Sequence, residues 1–210
     1  MCCLGVVGCW TYVKNGYELK DKDCPHGSLV KLCFSSDFFL EEADAWRSGC
    51  WDTIRWRSDC IFVMTTKRSE RIKQCLPDDW GDGWENVHLS ISIENQEMAD
   101  NRLPFFLDAP LRHREVFCSP LIAPITLGKY LDTGLIKCVN VGGEMAPKIA
   151  VRPVQWEWVK DLYIETKSRG IEFYFSPVRS CRSASSYKAY PPFPFQPMTR
   201  PELRTRCLRW

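Results

Sequence analysis

An α/β fold with a parallel sheet, arranged as a partial (β/α) barrel of about six strand–helix units, is what this sequence predicts. Two observations carry that reading. Short apolar runs of strand length recur along the chain, and stretches with apolar residues three and four apart separate them. Strands joined through helices imply right-handed parallel crossovers. An open doubly wound sheet is the alternative, and in either case functional loops belong at the carboxyl ends of the strands.

The first strand is expected at Leu29–Phe34, closed by the polar turn Ser35-Ser36-Asp37. A helix then runs from about Leu40 to Arg57, with Ala43, Trp46, Cys50, Trp51 and Ile54 as its buried stripe. Glu41, Glu42 and Asp44 sit in its first turns, where the helix dipole favours acids. Cys60–Met64 is the second strand, and a short helix passes through Ile72 and Cys75. Pro77–Glu85 forms a loop around Trp80-Gly81-Asp82-Gly83-Trp84. Val87–Ile93 alternates as a third strand, and Asn95 is placed to cap the helix carrying Met98, Arg102, Leu103 and Phe106. Glu115–Cys118 is the fourth strand. A short helix with Leu127, Tyr130 and Leu131 ends at Gly134, and Ile136–Val141 is the fifth strand. After Pro153 a helix carries Trp156, Val159, Leu162 and Tyr163 to Gly170, and Ile171–Phe175 is the sixth strand.

This organisation gives one barrel domain over residues 1–176 and a tail over 177–210. The tail holds Pro177, Pro191, Pro192, Pro194, Pro197 and Pro201 and a run of arginines against the single acid Glu202, so it is expected to be irregular. The formal charge of +2 gives no nucleic-acid footprint, so nucleic acid would need a local patch. No apolar run approaches a membrane span, and the N-terminus lacks a basic leader and a cleavage site. The expected compartment is the cytoplasm, with no membrane partner. Twelve cysteines would suggest a disulfide framework in a small secreted chain. Here Cys33, Cys60, Cys118 and Cys138 fall inside apolar strands and are expected as buried free thiols.

Candidate chemistry collects at the predicted strand ends. Ser36 and Asp37, beside Ser35, either meet a ligand hydroxyl or cap the next helix. Thr65, Thr66, Lys67 and Arg68 combine hydroxyls with positive charge, suited to a carboxylate or phosphate or to a solvated helix start. Glu94 and Asn95 hold the same place one unit later, with a helix cap as the other role. Gly142 and Gly143 let backbone approach a ligand closely, and Glu144 offers a carboxylate to an ammonium group, or the three form a tight turn. His26, His88 and His113 show no zinc spacing. Trp80 and Trp84 either stack a base or sugar or pack the loop.

Several segments in this order carry a resemblance: Cys33 to Arg47, Thr66-Lys67-Arg68, Leu76 to Gly81, Glu94-Asn95-Gln96 with Ala99-Asp100 and Arg102, and Gly142-Gly143-Glu144. Together they resemble the family usually named for phage gene products 37 and 68, which carries a domain of unknown function, over roughly Gly8 to Phe175. Its members resemble radical S-adenosylmethionine proteins. That resemblance implies a four-iron four-sulfur cluster on three N-terminal thiolates and S-adenosylmethionine on the open iron, acting on an unidentified substrate. Cys2 and Cys9 match the first spacing of the family's cysteine motif, Tyr12-Val13 stands where a third cysteine would lead, and Cys3 or Cys24 is the substitute the sequence offers. Ser119-Pro120 and Ser176-Pro177-Val178-Arg179 also depart from the family's pattern. The implied cofactor-binding residues are Gly142, Gly143, Glu144, Ser36, Asp37, Thr66, Lys67, Glu94 and Asn95, with Cys2, Cys9 and Cys3 on the metal. A non-catalytic binding module, the same scaffold with no cluster and no cofactor, is the alternative.

Overall fold

In the computed structural model, residues 24–33, 36–144 and 152–176 are described. They form six strands in one sheet with the order β1-β2-β3-β4-β5-β6, so each strand neighbours the next in sequence and the order does not close on itself. The strands are β1 Leu29–Leu32, β2 Ile61–Thr66, β3 Val87–Ser92, β4 His113–Cys118, β5 Cys138–Gly142 and β6 Glu172–Ser176. Between them lie α1 Asp44–Trp56, α2 Ile72–Cys75, α3 Gln96–Asp108, α4 Gly128–Leu131 and α5 Trp156–Lys167, with 3-10 turns at Glu41–Ala43 and Ser69–Arg71. The fold is the mixed α/β, parallel-sheet class expected, and it is consistent with a partial (β/α) barrel. The described residues gather into two compact units, 24–92 with Asn101–Glu115, and Ile93–Asp100 with 116–176. The 177–210 tail lies outside the described residues.

In the first unit β1 pairs with β2, and β2 with β3, all parallel. Val30, Leu32, Phe62, Met64, Val87, Leu89 and Ile91 are buried and stand at matching register positions, so they make one continuous apolar face. Helix α1 buries Arg47, Cys50, Trp51 and Ile54. The expected stripe placed Trp46 there, but Trp46 is half-buried and Arg47 is 5% exposed. Its guanidinium is satisfied in place by Phe38 O at 3.2 Å, Leu40 O at 2.5 Å and the Asp44 carboxylate, which is what a buried charge requires. Trp51 donates to Cys75 O (2.8 Å) and packs edge-on to Phe38 and Trp84 and tilted against Trp80. Strand β1 spans Leu29–Leu32, Cys33 takes a positive φ of 54° with Ser36 N bonded to its carbonyl oxygen, and Phe34 of the expected strand lies outside the described residues.

In the second unit β5 pairs with β6 in parallel, Cys138 opposite Glu172 and Gly142 opposite Ser176. Helix α5 buries Val159, Leu162 and Thr166, and Gly170, with φ 69°, ends its last turn as the sequence predicts. Glu165 reaches back to accept from the backbone N–H of Leu127 (2.8 Å) and Gly128 (2.6 Å), fixing the start of α4.

Candidate functional site

Asp37 lies just after β1, and its buried carboxylate is the centre of the first group. Oδ1 accepts from Phe39 N (3.0 Å) and the Thr66 hydroxyl (2.8 Å); Oδ2 accepts from Lys67 N (2.9 Å) and the Arg68 guanidinium (3.1 Å). Thr66 in turn accepts from Arg68 N at 2.9 Å. The β1 and β2 carboxyl ends are thereby clamped together by one side chain. Of the predicted residues, Asp37, Thr66 and Lys67 are brought into one place, with the half-buried Ser36 beside them. Asp37 shapes this strand end by holding two backbone N–H groups and a hydroxyl; it does not cap α1, which has no side-chain cap.

The opposite face of the same sheet, which carries the strand-end hydroxyl of Thr65 named from sequence, is polar. Register sets Thr65 opposite Ser90 and Val63 opposite His88, on the face away from Phe62, Met64 and Leu89. Parallel sheets are ordinarily apolar on both sides, yet β3 buries His88, Ser90 and Ser92 at every second position. The hydroxyls of Thr65 and Ser90 are buried and have no hydrogen-bond partner, and Ser90 is fully buried. Two orphaned hydroxyls at facing positions are an expensive arrangement unless a bound group or water completes them. At the amino end of this face the His88 and His113 rings stack, 4.1 Å between centroids and 14° between planes. Glu115 lies 3.9 Å from His88 Nδ1 and Glu85 lies 3.4 Å from His113 Nε2. Burial pulls the His113 imidazole below its ordinary value, and the neighbouring His88 adds to this.

The second unit holds the other predicted residues. Asn95 takes the capping role, its side-chain oxygen accepting from Met98 N at 2.9 Å. Glu94 is half-buried, and its backbone oxygen accepts from Ile122 N (3.0 Å), while Gly142 O accepts from Leu121 N (2.8 Å). The turn after the cis Ser119–Pro120 bond thus ties Glu94 to the end of β5. Gly142 has a local reason to be glycine: a Cβ there would stand 2.7 Å from Ser119 Oγ. Gly143 follows it, buried. Glu144 already has a cation, for Arg152 donates from its backbone N (2.9 Å), Nε (3.0 Å) and Nη2 (2.5 Å), and this guanidinium holds the carboxyl down at about 2.

Cys33, Cys60, Cys118 and Cys138 are buried thiols outside any disulfide, as the sequence predicts, and burial pushes the Cys118 thiol well above the ordinary range. Trp80 is buried, and the Trp51, Trp80 and Trp84 rings pack on one another with Arg55 over Trp84, so the loop tryptophans pack rather than present a stacking platform. The expected metal ligands Cys2, Cys3 and Cys9 lie outside the described residues. Among the described residues no group of three or more His, Cys, Asp or Glu is arranged to hold a metal ion, and no helix is long and apolar enough to cross a membrane.

Residues 18–188 match the family described as a protein of unknown function, DUF5131, and the chain belongs to that family. No curated protein and no solved structure matches the chain.

Proposed function

We propose that this DUF5131 chain is a phage- or prophage-type radical S-adenosylmethionine-like protein that binds its ligands against the polar face and carboxyl ends of its parallel strands. The observation that carries the binding part is the facing pair of orphaned hydroxyls, Thr65 and Ser90. A buried hydroxyl without a partner is stabilised when a ligand completes it, so a polar ligand has a built-in driving force here. The clamp at Asp37 supports the same reading, because it fixes the β1 and β2 ends before any ligand arrives. The chemical part rests on the resemblance: Cys2, Cys9 and Cys3 would hold the cluster, and a cluster of this kind suits a reducing cytoplasm. When bound, the cluster supplies the electron for reductive cleavage of the sulfonium. The chain's own strand-end residues hold and orient the ligand.

The engagement of Glu144 by Arg152 favours a second reading for that corner, in which the carboxylate holds Arg152 and does not meet the cofactor's amino group. The test is calorimetric titration of S-adenosylmethionine into the reconstituted full chain and its S90A variant. Saturable binding to the wild type, weakened about tenfold by loss of one hydrogen bond in S90A, is the expected result. No heat with the wild type overturns the cofactor reading, and equal affinity in S90A overturns the placement at this face.

A further inference from the structure

We infer that Cys24 and Cys60 are an oxidative modification site, a dithiol that a hydroperoxide converts into an internal disulfide tying the chain before β1 to the start of β2. The two sulfurs lie 3.5 Å apart, both residues fully buried. A bonded pair needs about 2.05 Å, so closure asks for a side-chain adjustment rather than a rearrangement of the sheet. The backbone is already tied at this spot: Gly27 N bonds Asp59 O and Ile61 N bonds Ser28 O. Arg57 holds the two halves together, its Nη2 donating to Cys24 O (2.6 Å) and to Cys60 Sγ (3.0 Å) while the same guanidinium forks onto Asp59. A cation beside Cys60 Sγ stabilises the thiolate that must form. The inference is separate from the radical reading in which Cys2, Cys9 and Cys3 hold the cluster.

The chemistry closes with the oxidant supplying both oxygens. The Cys60 thiolate attacks hydrogen peroxide, giving a sulfenic acid and hydroxide. The Cys24 thiolate then attacks the Cys60 sulfur, the disulfide forms and a second hydroxide leaves. The two thiol protons convert both hydroxides to water, and the two electrons lost by the sulfurs reduce the peroxide. Both thiols are buried, which admits only a small neutral oxidant, and burial pushes the Cys60 thiol up to about 12, so little thiolate is present and the linkage forms slowly.

The experiment exposes the reduced full chain to hydrogen peroxide, quenches with catalase, alkylates in acid and maps peptides without reduction. The expected product is a Cys24–Cys60 linked peptide, removed by dithiothreitol, with a raised thermal midpoint. In R57Q, whose folding is checked by circular dichroism, linkage slows about tenfold, because the guanidinium no longer stabilises the Cys60 thiolate. Recovery of Cys60 as free thiol, as sulfinic acid or linked to another cysteine, while Cys24 remains unlinked, overturns the assignment. The mapping in the wild-type chain decides this even where a variant fails to fold.

Discussion

Removing the Asp37 carboxylate is the most informative single perturbation of the fold near the strand ends. In D37A the Phe39 N–H and the Thr66 hydroxyl lose a buried acceptor, and the Lys67 N–H loses a part-buried one. Each unsatisfied buried donor costs about 1–3 kcal/mol. The Arg68 contact adds little, since that side chain is 39% exposed and water replaces the lost partner. Taking the low end for three donors, D37A is expected to lose about 3 kcal/mol. D37N keeps one accepting oxygen and turns an amide toward Lys67 N and Arg68, so about half that loss is expected. The assay is urea unfolding followed by tryptophan fluorescence, comparing midpoints at constant slope. A loss within about 0.5 kcal/mol, as for an ordinary surface change, would refute the clamp. Equal losses in D37A and D37N would show that charge, not acceptor geometry, matters.

Other expectations concern the polar face and the second unit. S90A and T65V each remove an orphaned buried hydroxyl, so both variants are expected to unfold at higher urea in the ligand-free chain; a lower midpoint in both would mean the hydroxyls are already satisfied. Because the folded-state value of His113 lies below its unfolded value, its contribution to stability is complete above about pH 6.5 and declines as pH falls through that value. The titratable groups against it are His88 and Glu85. H113F should flatten the stability profile between about pH 7 and pH 5, and an unchanged profile counts against the stack as an acid-sensitive element. E144Q should leave the thermal midpoint unchanged because its partner Arg152 is exposed, and it should leave S-adenosylmethionine affinity unchanged if Glu144 only holds Arg152. A large loss of affinity would return it to the cofactor.

Sequence patterning located the elements because the information was local. Strand β3 is nearly the expected Val87–Ile93 run, Asn95 is the cap its position suggested, and Gly170 ends α5. Where the expectation missed, the cause was long-range. Arg47 displaced Trp46 from the buried stripe because Phe38 O and Leu40 O, from the preceding loop, receive its guanidinium. The orphaned Thr65–Ser90 pair depends on the register of β2 against β3. The every-second-residue series His88, Ser90, Ser92 was visible, but only the neighbouring strands show that Thr65 and His113 join it. Likewise Glu144 read as an open acid until Arg152, further along the chain, supplied its cation.

The central claim is the cluster, and anaerobic iron–sulfur reconstitution of the full chain with iron counting tests it most directly. The account predicts about four irons per chain, with an absorbance spectrum that shifts on adding S-adenosylmethionine and a count that collapses when Cys2, Cys3 and Cys9 are replaced by serine. No iron retained after reconstitution would contradict it and leave a binding scaffold of the same fold.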